Sequence, residues 1–140
     1  MRLLRRLSGD VEELSKKECI QLHKDWWNAY STPFDAASPP GFSHQFLWHV
    51  FSYGQVPSSY PDNKTLCEAE KEPVLFCLSA ESKQLWGARC ASLKLSRLME
   101  SRFDLIVFPP SLVWTLATTH DDLNGPYFSR RDWLDMDHDT

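Results

Sequence analysis

The stretch FDLIVFPPSLVWTLATT, residues 103–119, decides the fold of this chain. Residues 103–108 and residues 112–119 are rich in the β-branched and aromatic residues that favour strands. Only Pro109-Pro110-Ser111 separates the two runs, and a connection this short joins neighbouring strands of opposite direction. The stretch therefore predicts an antiparallel hairpin.

Two further elements are predicted before this hairpin. Residues 74–78 (VLFCL) form a continuous apolar run of strand length. Ser79 or Ser82 can then cap a second long helix. The apolar stripe of that helix, at helical spacing, would consist of Leu85, Ala88, Ala91, Leu95, Leu98 and Met99.

A first long helix is predicted from Ser15 to Tyr30. Ser15 and Glu18 have the spacing of a capping box, in which each side chain accepts the other residue's backbone amide. The apolar stripe then follows at steps of three or four residues, through Cys19, Leu22, Trp26 and Tyr30. Pro33 ends the helix, because the residue before a proline is driven out of the α region.

The middle of the chain has a less regular pattern. Residues 46–53 (FLWHVFSY) are apolar on both faces, so a buried strand and a short buried helix both remain open. The β propensity of these residues and the following Gly54 favour the strand. Residues 55–71 are rich in turn-forming residues and predict an irregular connection, with one helical turn near residues 66–69.

Together these elements predict a single α+β domain over residues 1–140. We expect a single, mostly antiparallel sheet of about four strands, with two main helices packed on one face. Residues 1–9 would be a basic N-terminal lead whose first turn is partly frayed. Residues 129–140 would be an acidic, solvated C-terminal tail.

Composition and charge exclude several classes of protein. An apolar fraction of 42% and a charged fraction of 24% are values of a globular chain, and rule out disorder, collagen and coiled coil. The net charge of −4 argues against a general nucleic-acid binder, which would carry a basic surplus. No apolar run approaches the length that spans a bilayer, so we expect a soluble, cytoplasmic protein with no membrane span.

The four cysteines, Cys19, Cys67, Cys77 and Cys90, belong to no close pair. We interpret each as a small buried hydrophobic residue and expect reduced thiols rather than disulfides. The chain also lacks a phosphate-binding loop and the usual metal and dinucleotide motifs, so no cofactor and no metal is predicted.

Three short segments combine aromatic residues with residues that can carry chemistry: residues 48–52 (WHVFS), residues 114–121 (WTLATTHD) and residues 125–128 (GPYF). In these segments the chain resembles an uncharacterised bacterial family, domain of unknown function 4275. That family has a W-H-x-F-S segment followed by a W-T…T-H-acid…G-P-Y-F ending, and the resemblance covers roughly residues 26–128. Asp121 stands where the family usually has glutamate, and residues 63–70 diverge. The resemblance implies kinship of fold and candidate positions, but no activity.

The candidate site residues are Trp48, His49, His120, Asp121 and Tyr127. Imidazole titrates near neutrality and can act as an acid, a base or a metal ligand. We expect His120 to end a strand with Asp121 accepting a hydrogen bond from its ring, and His49 to reach the same edge of the sheet. A concave patch containing these three residues, with Tyr127 on its rim, would bind a ligand, a metal or a partner. Both histidines can instead be structural, with satisfied hydrogen bonds.

Two functions from different classes follow. The first is a non-catalytic protein-binding module of the immunity or inhibitor type, which uses its acidic balance and exposed aromatic residues, with Trp27 and Trp133 as candidates, to bind a basic partner. The alternative is a small enzyme or metal-binding protein that uses His49, His120 and Asp121. The sequence favours the first, because it contains no recognisable catalytic motif.

Overall fold

The computed structural model describes residues 2–30, 51, 56–81, 85–120 and 125–133. The helices in these ranges are α1 (Arg2–Leu7), α2 (Lys16–Tyr30), α3 (Asn63–Ala69) and α4 (Leu95–Leu98), and a 3₁₀ turn over Met99–Ser101 continues α4. The strands are β1 (Asp10–Glu13), β2 (Val74–Ser79), β3 (Gly87–Ala91), β4 (Leu105–Phe108), β5 (Trp114–Thr118) and β6 (Tyr127–Arg130).

The strands form one sheet in the order β1-β3-β2-β4-β5-β6, and every neighbouring pair is antiparallel. The predicted hairpin is confirmed as β4 and β5, with Leu105 opposite Thr118 and Val107 opposite Leu116. The α+β class with a single antiparallel sheet is confirmed. The expected number of about four strands is wrong, because the described residues already form six.

The predicted second long helix is wrong, and β3 occupies its first half. Ala88 and Cys90 are fully buried whereas Arg89 between them is exposed, which is the two-residue alternation of a strand. Ser92 then adopts a positive φ of 55°, which a continuing helix does not tolerate. Of the predicted apolar stripe, Leu95 and Leu98 lie in an α-helix, the four-residue α4, and both are buried.

The two edge strands, β1 and β6, account for the remaining error in strand number. Three of the four residues of β1 are acidic, so its propensity does not indicate a strand. β6 begins within the GPYF segment, which folds back beside β5 with Phe128 opposite Leu116. Ser129 and Arg130 are part of this strand, so the expected free tail over residues 129–140 is wrong at its beginning, and residues 134–140 lie outside the described residues.

Helices cover both faces of the sheet, which corrects the expectation of a single covered face. α2 packs with Ile106, Phe108 and Ala117 on one face. α1, α3 and α4 pack on the other face, where Leu105, Val107 and Leu116 alternate with the first set. β4 and β5 are buried at every position for this reason, and their continuous apolar runs reflect two covered faces.

Side-chain caps at the N-termini of α2 and α3 follow capping patterns that are visible in the sequence. The capping box of α2 is confirmed: the Glu18 amide donates to Ser15 Oγ over 3.1 Å, and the Ser15 amide donates to Glu18 Oε1 over 3.2 Å. Asp62 caps α3 by accepting the Thr65 amide at 2.8 Å, and this bond lowers the pKa of the Asp62 carboxyl. Residues 2–7 form α1, with Leu4 and Leu7 buried in the core, rather than a frayed turn.

All four cysteines are free thiols. Cys19, Cys77 and Cys90 are buried as expected, whereas Cys67 is exposed on α3, which corrects that prediction. Burial raises the pKa of Cys77, and raises that of Cys90 to about 11, so neither thiol is poised as a nucleophile. In the described part of the chain, we find no helix with the length and apolarity needed to cross a membrane.

Candidate functional site

One end of the sheet gathers charged and aromatic side chains from several elements. β2 ends there, β3 and β4 begin there, and β5 ends there, because neighbouring strands are antiparallel. Backbone hydrogen bonds fix this arrangement: the Ser79 amide donates to the Trp86 carbonyl, and the Ala80 amide donates to the Asp104 carbonyl, both over 2.9 Å. The residues just outside the strands therefore lie close together.

The first feature of this end is a pair formed by His120 and Asp104. His120 Nδ1 lies 2.8 Å from each carboxylate oxygen of Asp104, and the His120 amide donates to Asp104 Oδ1 over 3.1 Å. The imidazole is about half exposed, whereas the carboxylate is 19% exposed. The Asp104 carboxylate therefore contacts both the ring and the backbone amide of His120 and fixes the orientation of the ring. Carboxylates orient histidines that bind metals or transfer protons in the same way.

The second feature is a cavity of about 370 Å³ next to Asp104, which we call the Trp86 cavity. Leu4 from α1 and Leu105 from β4 are buried in its lining. Its polar and aromatic lining residues are Arg2, Ser79, Glu81, Trp86, Phe103 and Asp104. Phe103 is 56% exposed, so one aromatic residue of the lining is open to solvent. Small-molecule sites have this composition, an apolar lining with a few convergent polar groups.

The third feature is the open edge of β1. Leu14 donates to the carbonyl of Gly87, directly opposite, so the hydrogen-bonded pairs of β1 with β3 are residues 14, 12 and 10. The alternate residues Val11 and Glu13 consequently direct their amide and carbonyl groups away from β3. Within the described residues no strand pairs with this side of β1, and Asp10, Glu12 and Glu13 are exposed.

The opposite edge of the sheet is paired at Phe128. Ser59 and Phe128 exchange two backbone hydrogen bonds of 2.8 and 2.7 Å on the outer side of β6. Ser129 Oγ also donates to the Pro57 carbonyl over 2.7 Å. Ser59 therefore satisfies the outward amide and carbonyl of Phe128, the groups that an incoming strand would need there.

The predicted site is described only in part. His120 follows the end of β5, as expected, and Tyr127 begins β6 and packs against Phe51, with ring centroids 5.8 Å apart. Trp48, His49 and Asp121 lie outside the described residues, so the shared patch and the form of residues 46–53 stay predictions. Trp27 and Trp133 are partly buried, and Trp133 packs edge-on against Phe128.

Sequence reasoning missed Asp104 as the partner of His120. The signal was present in the predicted hairpin, because a turn at residues 109–111 brings the start of the first strand beside the end of the second. The expected partner was Asp121, the nearest carboxylate in sequence, although the register of β4 and β5 aligns Asp104 with Thr119, next to His120. His120 therefore pairs with the carboxylate that is near it across the hairpin, Asp104, and its partner could not be inferred from nearness in sequence.

No family model matches the chain, and no curated protein or solved structure matches it either. The resemblance to domain of unknown function 4275 accordingly stays a prediction, and the functional argument depends on the geometry described above.

Proposed function

We propose that this protein is a non-catalytic protein-binding module, of the immunity or inhibitor type, that binds a basic segment of its partner. The β1 edge is the observation that carries the proposal. It combines outward backbone groups at Val11 and Glu13 with three exposed carboxylates. Addition of a strand to an open edge is a common mode of peptide recognition, in which backbone bonds provide affinity and side chains provide specificity.

The negative charge of β1 favours a partner strand that carries basic residues. A lysine or arginine opposite an acidic residue on a neighbouring strand stabilises the pair by about 0.2–1 kcal/mol, whereas an acidic residue there is destabilising. Asp10 and Glu12 lie on one face of the sheet and Glu13 on the other, since side chains alternate along a strand. A basic strand would thus meet a carboxylate on both of its faces, in agreement with the chain's net charge of −4.

A defined peptide tests this proposal. The probe is a blocked peptide of alternating lysine and valine, with a glutamate–valine peptide as the control. We expect the basic peptide to slow solvent exchange of the Val11 and Glu13 amide hydrogens, measured by NMR, and the acidic peptide to leave them unchanged. Equal protection by both peptides, or protection confined to another part of the molecule, would contradict the proposal.

Val11→Pro is the decisive variant. It removes an amide that faces away from β3, so the hydrogen bonds within the sheet are kept while the incoming strand loses one donor. We expect this variant to retain the far-UV spectrum and lose peptide binding. Glu13→Lys should also weaken binding, whereas Glu100→Lys, an exposed charge change elsewhere, should not. Binding that survives in Val11→Pro would refute strand addition.

The second candidate function is a small enzyme or metal-binding protein that uses His49, His120 and Asp121. The contact of His120 Nδ1 with the Asp104 carboxylate, which can accept from the ring, favours it, because an oriented imidazole is the usual arrangement of a base or ligand. Among the described residues no three potential ligands are grouped, so such a site would need ligands from the rest of the chain. Stoichiometric zinc binding that is lost in a His49→Ala/His120→Ala variant would support this function over the first.

A further inference from the structure

We propose that a second cavity, lined by residues at the start of α3 and the end of α4, binds a small quaternary ammonium ion. We call it the Tyr60 cavity, and its volume is about 530 Å³. The segments that line it, residues 60–66 and 96–100, are described together with their neighbours in sequence. The inference does not depend on the β1 edge, because none of the four residues of β1 lines this cavity.

The aromatic group of the cavity is Tyr60. It is 71% exposed, the largest exposed fraction among the large hydrophobic residues in the described part of the chain. Within that part of the chain, its ring makes no ring contact and its hydroxyl makes no hydrogen bond. The backbone on either side is held, because Ser59 exchanges two hydrogen bonds with Phe128 and Pro61 is buried. The fold therefore presents an aromatic ring to solvent, and the face of such a ring attracts a cation.

The anionic group of the cavity is Glu100, in the 3₁₀ turn that continues α4. Glu100 is exposed, and its carboxylate has no hydrogen bond or ion pair among the described residues. Asp62 adds a second carboxylate, which already accepts the Thr65 amide as the cap of α3. Three cations are near in sequence but do not belong to the described lining: Lys64, Arg97 and Arg102. The charge of the lining therefore favours a positive ligand, with Glu100 as its main partner.

The apolar residues of the lining favour a methylated cation. Pro61 and Leu66 are buried, and Met99 is partly buried. A primary ammonium is strongly hydrated, and apolar side chains cannot replace the water molecules that accept its N–H groups. A quaternary ammonium has no N–H group, so its methyl groups can pack on these side chains while its charge stays close to the aromatic ring and the carboxylate.

NMR titration of the full chain with three probes tests the proposal. The probes are choline, its neutral carbon isostere 3,3-dimethylbutan-1-ol, and ethanolamine, which lacks the methyl groups. We expect choline to shift the signals of Tyr60 and Glu100 with a dissociation constant at least about threefold lower than that of either other probe, the order of effect of an exposed cation–π contact. Affinity for choline equal to that for the neutral alcohol or for ethanolamine would overturn the proposal. Unshifted signals of Tyr60 and Glu100 at about 50 mM choline would also overturn it.

Matched variants assign the two groups. Tyr60→Leu should weaken choline binding at least about threefold, whereas Tyr60→Phe, which retains the ring, should not. Glu100→Gln should weaken choline binding at least about twofold, the size expected of an exposed ion pair, and leave the neutral alcohol unaffected. Glu12→Gln is the control, because Glu12 is an exposed carboxylate of β1 that does not line the cavity. All four variants should retain the wild-type melting temperature, since the substituted residues are exposed. Choline binding that is unchanged in both Tyr60→Leu and Glu100→Gln would refute the assigned site, and so would its loss in Tyr60→Phe.

Discussion

Thr115→Val tests whether a buried hydrogen-bond relay links α2 to the sheet. Trp26 Nε1 donates to Thr115 Oγ1 over 2.9 Å, and the Thr115 hydroxyl donates to the Val107 carbonyl over 3.0 Å. All three residues are fully buried, so water cannot replace a lost partner. Valine retains the shape of threonine but leaves the indole N–H without an acceptor, which costs about 1–3 kcal/mol, and it removes the second bond at about 0.5–1.5 kcal/mol. We expect a total loss of about 2–4 kcal/mol in the free energy of unfolding.

Urea denaturation followed by far-UV circular dichroism measures this loss directly. Thr115→Ser retains the hydroxyl and should cost only about 1 kcal/mol, for the missing methyl group. In a Trp26→Phe background no indole N–H remains to be orphaned, so Thr115→Val should cost at least about 1 kcal/mol less than in the wild type. A stability for Thr115→Val within about 0.5 kcal/mol of the wild type, or a cost unchanged by Trp26→Phe, would refute the relay.

Three further predictions concern the core, acid stability and thiol reactivity. Trp114→Ala should cost about 3–5 kcal/mol, because Trp114 is buried and stacks on Phe128 with centroids 5.7 Å apart, whereas Val113→Ala, at a residue 48% exposed, should change the free energy of unfolding by less than about 0.5 kcal/mol. Burial lowers the pKa of His23 below its ordinary 6.5, and its Nε2 has no hydrogen-bond partner among the described residues. As the pH falls, His23 is protonated in the unfolded chain before it is protonated in the folded protein, so the free energy of unfolding should decrease below about pH 6.5. The melting temperature of His23→Leu should depend less on pH below this value. In the folded protein one thiol, that of Cys67, should react rapidly with Ellman's reagent while the three buried cysteines react only on unfolding; fast reaction of Cys67→Ser would contradict this.

The fold could be predicted from the sequence where local pattern and tertiary environment agree. The α2 capping box and the β4–β5 hairpin each depend on residues close in the chain, and both are confirmed. β3 was mistaken for a helix because Ala88 and Ala91 happen to match a helical stripe, although the buried residues of that strand are Ala88 and Cys90. Its conformation is determined by pairing with both β1 and β2, which local spacing does not encode.

The candidate site was harder to predict for a related reason. His120 could be identified from its type and its place after a strand, but its partner Asp104 lies sixteen residues earlier. The Trp86 cavity also combines α1 with three segments near the ends of strands, so its lining is distant in sequence. The acidic residues of β1 have low strand propensity, so the sequence does not indicate a strand there. Acidic residues suit this position because they are exposed at the edge of the sheet.

The charge of the β1 edge determines which strands it can pair with. Ser59 pairs with the outer side of β6 at Phe128, whereas within the described residues no strand pairs with the outer side of β1. A strand added to β1 uses one of its own two hydrogen-bonding sides, so the partner's other side becomes the new edge of the sheet. Two β1 edges pairing with each other would bring acidic residues together at a destabilising distance. A complex formed at this edge should therefore contain a strand of another, basic sequence rather than a second copy of β1.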